Sequence, residues 1–181
     1  MPRINAIDPA GATGKAKELL DAVKAKLGLV PNMTRTMVHS PAVLEGYLNF
    51  SSALGGGALN AKLREQIAVT VAEANGCEYC LSAHTAIGKL VGLDEAALTS
   101  SRQAKSSDAR TEAALKFAQA VVKSKGRVTD GDLKAVRDAG YGDGEINEII
   151  ANVAINLFTN YFNNATQVEV DFPKVSIAGR S

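Results

Sequence analysis

The chain has no tryptophan, two cysteines, two histidines and five prolines, and each scarcity removes a class of explanation. Two thiols cannot build the multi-bridge framework of a small disulfide-stapled protein. No stretch approaches the roughly 18 consecutive apolar residues of a membrane span. The opening Met1-Pro2-Arg3-Ile4-Asn5-Ala6-Ile7-Asp8 lacks the continuous apolar core of a signal peptide. Charge of one sign is lacking too: 20 basic against 19 acidic residues leave a formal charge of +1. With no blocks of either sign, there is no electrostatic footprint for nucleic acid or for an anionic membrane surface. The expectation is a cytoplasmic protein with neither a nucleic acid nor a membrane as partner. A length of 181 residues, 46% hydrophobic, allows one sizeable core, so a single domain over 1–181 is the default.

What is present is helical periodicity. Leu19, Leu20, Val23 and Leu27 recur at helical spacing and stop at Gly28. Pro31 stands where a short helix can start, and Ser40-Pro41 reads as an N-cap followed by proline at the first helical position. That helix runs toward Leu54 and breaks at Gly55-Gly56-Gly57. Asn60 caps a helix over 61–74 with Leu63, Ile67, Val71 and Ala74 on one face, closed by Asn75-Gly76. A further helix begins near Cys77 and ends near Val91-Gly92, and Asp94 caps a short one over 95–98. Asp108 starts a helix through Val122, and Thr129 with Asp132 resembles a capping box for a helix over 130–138. The segment from Gly144 to about Asn164 is the most apolar. Its stripe of Ile146, Ile149, Ile150, Val153, Ala154, Leu157, Phe158, Tyr161 and Phe162 is assigned to core packing or an oligomer interface. From Val168 onward Pro173 limits any strand, and the tail to Ser181 is expected to be extended. The fold class is all-α, with about seven or eight helices.

Both cysteines and one of the two histidines fall within Cys77-Glu78-Tyr79-Cys80-Leu81-Ser82-Ala83-His84. Thiols three apart at a helix start face the same way and can close a small disulfide ring. His84 lies one turn beyond Cys80, so its ring can approach the second sulfur rather than the first. The free N–H groups and dipole of a helix N-terminus favour a thiolate, which can attack a peroxide oxygen. Cys-x-x-Cys-x-x-x-His also offers three metal ligands. A tetrahedral structural zinc site needs four, and His39 stands alone, so no metal is expected.

Glu65, eleven intervening residues, Cys77-x-Tyr79-Cys80, three residues and then His84 form a pattern that resembles the alkylhydroperoxidase AhpD-like, carboxymuconolactone decarboxylase superfamily. The matching core spans about 60–92. Asn160-Tyr161-Phe162-Asn163-Asn164 through Val168-Glu169-Val170-Asp171-Phe172-Pro173 looks like its peroxidase-related branch. The resemblance implies an AhpD-like helical fold and a peroxidase without a bound cofactor. In it, Cys80 attacks the hydroperoxide to form a sulfenic acid and Cys77 resolves that acid as a disulfide. It further implies a proton relay through Glu65, Tyr79 and His84, an external thiol reductant, and a homo-oligomer, either a trimer or a hexamer. The best-characterised members carry histidine at the place of Tyr79. A phenol with its usual pKa of about 10 is a poor base there, although it passes a hydrogen bond. Two other readings stay open: a carboxymuconolactone decarboxylase-like proton-transfer enzyme with His84 as base, and a non-enzymatic redox-sensing module switched by the disulfide.

Overall fold

The computed structural model describes residues 1–179; Arg180 and Ser181, the end of the expected extended tail, lie outside the described residues. After a 3-10 turn at Pro9–Gly11 come α1 (Gly14–Leu27), α2 (Asn32–Met37), α3 (Pro41–Gly55), α4 (Ala61–Ala74), α5 (Glu78–Leu90), α6 (Glu95–Ser101), α7 (Ala109–Ser124), α8 (Asp130–Asp138) and α9 (Asp143–Thr166). Eight of these nine helices have seven residues or more, in line with the sequence, and the ninth is the six-residue α2 after Pro31. No strand forms among the described residues, and no helix there is long and apolar enough to cross a membrane.

Local chemistry sets the boundaries. Asn60 Oδ1 accepts the Leu63 N–H (2.9 Å), Asp94 Oδ1 accepts that of Ala97 (2.7 Å) and Asp108 Oδ2 that of Thr111 (2.8 Å), each satisfying an orphan donor of a first turn. Thr129 and Asp132 close a reciprocal capping box. Ser40 makes no side-chain cap. Its carbonyl accepts the Val43 and Leu44 N–H groups, while Pro41 supplies the first helical φ without a donor to satisfy.

The helix α4 is central because it is buried nearly all round: Leu63 and every residue from Gln66 to Ala72 are buried, the polar Gln66 and Thr70 included. It packs on α5, α6, α7 and α9. On one side Leu63, Ile67 and Val71 meet Leu115, Ala118, Ile149 and Val153; on the other Val69 and Ala72 join Cys77, Cys80, Leu81 and Leu98. A third cluster packs α1 on α2 and α3 through Leu20, Met37, Val38 and Leu44. Gly88 allows a close approach of α5 and α6: a Cβ there would meet Leu98 Cδ2 at 2.7 Å and Leu93 Cδ1 at 3.3 Å, so that these side chains would have to shift.

The last helix departs from its expected face. Ile146, Ile149 and Val153 are buried, but Ile150, Phe158 and Tyr161 are exposed, while Asn152, Asn156, Asn160 and Asn163 are turned inward. The asparagines recur at i, i+4, i+8 and i+11, a helical stripe in its own right, and it faces a polar site rather than oil.

Replacing Ile67, which has no exposed surface, with alanine is expected to lower unfolding stability by about 2–5 kcal/mol in urea titrations. Leu90→Ala, at a side chain open to solvent, should stay within about 0.5 kcal/mol of the parent.

Candidate active site

The turn between α4 and α5 builds the site. Gly76 takes a left-handed conformation (φ 62°), which lets the Cys77 N–H return to the Ala72 carbonyl at 3.0 Å and close α4 with a Schellman bond. Cys77 is then the N-cap of α5, its sulfur accepting the Cys80 N–H at 3.3 Å. One residue thus ends one helix, starts the next and sets the first thiol beneath the second.

The two sulfurs stand 2.7 Å apart as free thiols, with the Cys77 S–H directed at Cys80. Both are buried, Cys77 at 0% and Cys80 at 2% exposure. From the neighbouring helix Glu65 Oε2 reaches His84 Nδ1 at 2.8 Å, so α4 and α5 bring together the carboxylate and imidazole that lie 19 positions apart. With Nδ1 committed to the carboxylate, Nε2 is the nitrogen left for proton exchange.

Electrostatics make the pair asymmetric. Burial raises the Cys80 thiol, but the Cys77 S–H, His84 and the amides of Asn163 and Asn160 outweigh it, bringing it down from 9.0 to about 7. Cys77 moves the other way: its donated hydrogen bond and burial hold its proton in place. For His84 burial opposes the imidazolium, yet the Glu65 carboxylate and Cys80 together lift it above its ordinary 6.5. The shifts favour an anion on Cys80 rather than on Cys77, beside a His84 ring that Glu65 holds toward its protonated form.

Tyr79 lies elsewhere. Its hydroxyl accepts the Met33 N–H at 3.2 Å, its ring meets Phe172 edge-on, and burial followed by nearby Asp171 pushes it above the ordinary phenol range. The Glu65–His84 pair is instead faced by Tyr47 of α3, which the sequence pattern did not single out. Burial, then Cys80 and Glu65, push Tyr47 up to about 12. Tyr47 shares with Glu65, His84, Asn152, Asn156 and Thr159 a cavity of about 90 Å³, the space of roughly three waters, and neither cysteine lines it. No sequence motif pointed to Asn152 or Asn156, and Asn160 and Asn163 entered only within the stretch 160–173 of the resemblance, with no role assigned; their period was legible but was hidden beneath the apolar stripe.

The tail closes the opposite side. Residues 168–179 run without helix or strand, Val168 and Ile177 buried, with Val175 N–H on Ser82 Oγ (2.9 Å) and Ala178 N–H on Glu73 Oε1 (2.9 Å). Glu73 also pairs with Arg102, whose guanidinium bonds the Ser176 carbonyl. Among the described residues no cluster of His, Cys, Asp and Glu could hold a metal.

The raised His84 pKa fixes a pH dependence. The Glu65–His84 pairing contributes stability in full below the unfolded value of 6.5, and that contribution disappears as pH rises through the higher folded value. Proton NMR of the His84 ring should titrate above 6.5 and move down in Glu65→Gln, and the stability gap between the two proteins should narrow as pH rises.

Comparison with known proteins bears on the fold. Residues 41–123 match the Carboxymuconolactone decarboxylase family. No curated protein matches significantly. An alkylhydroperoxidase AhpD core structure, an uncharacterized peroxidase-related protein from Ralstonia eutropha, is 27% identical, with a TM-score of 0.85 over 94% of this chain and 92% of its own. An uncharacterized peroxidase-related protein from Silicibacter is 25% identical, with a TM-score of 0.79 over 91% of each chain. The debrominase Bmp8, solved as a cysteine-to-alanine variant in complex with 2,3,4-tribromopyrrole, has the same fold at 21% identity, with a TM-score of 0.80 over 93% of this chain and 91% of its own. Over residues 41–123 the chain is similar to the Carboxymuconolactone decarboxylase family, and over nearly its whole length it has the fold of the AhpD-core and peroxidase-related structures.

Proposed function

We propose that the protein is a thiol-dependent peroxidase that reduces hydrogen peroxide or a small organic hydroperoxide through a Cys77/Cys80 dithiol–disulfide cycle. The observation that carries this reading is the asymmetric thiol pair: Cys80 lowered to about 7 beside a Cys77 that keeps its proton 2.7 Å away. The Cys80 thiolate attacks the terminal oxygen of the hydroperoxide, the O–O bond breaks, and the departing alkoxide takes the proton of the His84 imidazolium. Cys80 becomes a sulfenic acid. Cys77 then attacks the Cys80 sulfur, the S–O bond breaks and water leaves with the Cys77 proton, forming the disulfide. An external thiol returns both sulfurs to the reduced state, and no bound cofactor is needed.

Glu65 orients the imidazole and sustains its charge, as the third member of an activated-nucleophile array. Tyr79 in this reading fastens α2 and the tail over the thiols, and the relay runs from Glu65 to His84 without it. A reducing, cytoplasmic compartment suits a pair that must be returned to thiols each cycle. The homo-oligomer, trimer or hexamer, belongs to the same reading, with exposed Phe50, Phe158 and Tyr161 as side chains that such an assembly would cover; sedimentation tests it. The related debrominase makes brominated pyrroles the control substrate.

Peroxide should consume two thiols per chain, and Cys80→Ser should abolish this. Cys77→Ser should stop at a sulfenic acid detectable with a trapping reagent and mass spectrometry. His84→Gln should cost about 10²–10⁴-fold in rate. The parent rate should rise with pH through about 7 as the Cys80 thiolate forms. Peroxide turnover that persists in Cys80→Ser would sink the reading.

A further inference from the structure

One amide of α9, that of Asn163, bonds the sulfur of Cys80, and a second, that of Asn160, is close enough to favour its anion. Asn163, almost wholly buried, donates Nδ2–H to Cys80 Sγ at 3.1 Å and to Met33 Sδ at 3.3 Å. Asn160, fully buried and three residues earlier on the same face, has its Oδ1 held by Nδ2 of Asn75 at 2.9 Å, a bond that decides which end of its amide faces the core. Three buried side-chain atoms among the described residues lack a hydrogen-bond partner, and two of them are here: Asn160 Nδ2 and Asn163 Oδ1. Such orphans are costly and uncommon. A neutral thiol is a weak acceptor and leaves amide donors poorly satisfied, whereas a sulfur anion satisfies them.

We infer that Asn160 and Asn163 form an amide cradle for the anionic Cys80 sulfur, with both Nδ2 groups serving the thiolate and Asn163 Oδ1 accepting the O–H of the oxygen delivered to it. The second half rests on the peroxidase reading. During attack the hydroperoxide proton stays on the transferred oxygen, which becomes the S–O–H of the sulfenic acid facing Asn163 Oδ1, while the alkoxide leaves with the His84 proton. Asn163 touches the reacting atom and is a catalytic residue. Asn75 acts only through Asn160 and is a positioning residue. The other groups facing Cys80 are Cys77, His84 with Glu65 behind it, Tyr47 from α3, and Tyr79. Only the imidazolium among them carries positive charge, so the amides share the anion with a single cation.

The test is an ultraviolet titration of the Cys80 thiolate in the full chain, with Cys80→Ser as the blank, alongside peroxide turnover. Asn163→Leu keeps the volume and removes both polar atoms. It should raise the thiolate midpoint by about one unit or more, and so cut the thiolate present at the parent's midpoint of about 7 by roughly fivefold. Asn160→Leu should shift it in the same direction, and Asn75→Ala by less. If Asn163→Leu fails to fold, Asn163→Ser carries the same expectation, with circular dichroism confirming the fold. An unmoved midpoint in folded Asn163 and Asn160 variants overturns the cradle, whatever the turnover. A raised midpoint in a protein that turns over no peroxide upholds the thiolate cradle and overturns only the peroxidase reading and the oxygen-accepting role of Asn163 Oδ1.

Discussion

The Cys77 N–H returning to the Ala72 carbonyl is the bond on which the site depends. It fixes where α4 ends, and with Gly76 in the left-handed region the chain reverses within two residues. Because the reversal is so short, α5 must lie back along α4, and that antiparallel packing brings His84 level with Glu65. The same residue's sulfur opens the next helix. A longer turn would free the helices to slide and separate the thiol pair from its charge partners.

Where local rules act, the sequence is transparent. Asn60, Asp94, Asp108 and Thr129 begin helices by side-chain oxygens that accept first-turn N–H groups, a preference visible in any chain that carries them at those offsets. The Cys80–His84 register follows from helical pitch alone. What sequence hides is the direction in which an element is turned. In α9 both faces have helical period, one of isoleucine, phenylalanine and tyrosine, the other of asparagine. Hydrophobicity nominates the first, but the bundle has already enclosed a charged trio, and buried polar groups need partners, so the asparagines turn inward. Ile150, Phe158 and Tyr161 are consequently left at the surface.

The two tyrosines make the same point. Tyr79 sits beside Cys80 in sequence, yet a helix sends adjacent residues about 100° apart. Its hydroxyl therefore reaches Met33 rather than the imidazole. Tyr47, on a helix that nothing in the chain's motifs links to the cysteines, is brought to the cavity by tertiary packing. The tail is equally opaque: its anchors, Ser82, Glu73 and Arg102, lie 70 to more than 100 positions upstream, beyond any local periodicity.

Burial and charge act against each other throughout this site, and the balance is uneven by design of the fold. Cys77 and Cys80 occupy almost the same depth, so desolvation penalises an anion on either. What separates them is donors: Cys80 receives the Cys77 S–H, the imidazolium field and the α9 amides, while Cys77 gives its hydrogen bond away. An anion placed on Cys77 would lose that bond and leave the donors around Cys80 facing a neutral sulfur. In the proposed cycle, the attacking sulfur is the one that the donors surround. The cost appears in the polar atoms left unmatched in the resting state, and two of the three among the described residues flank that sulfur.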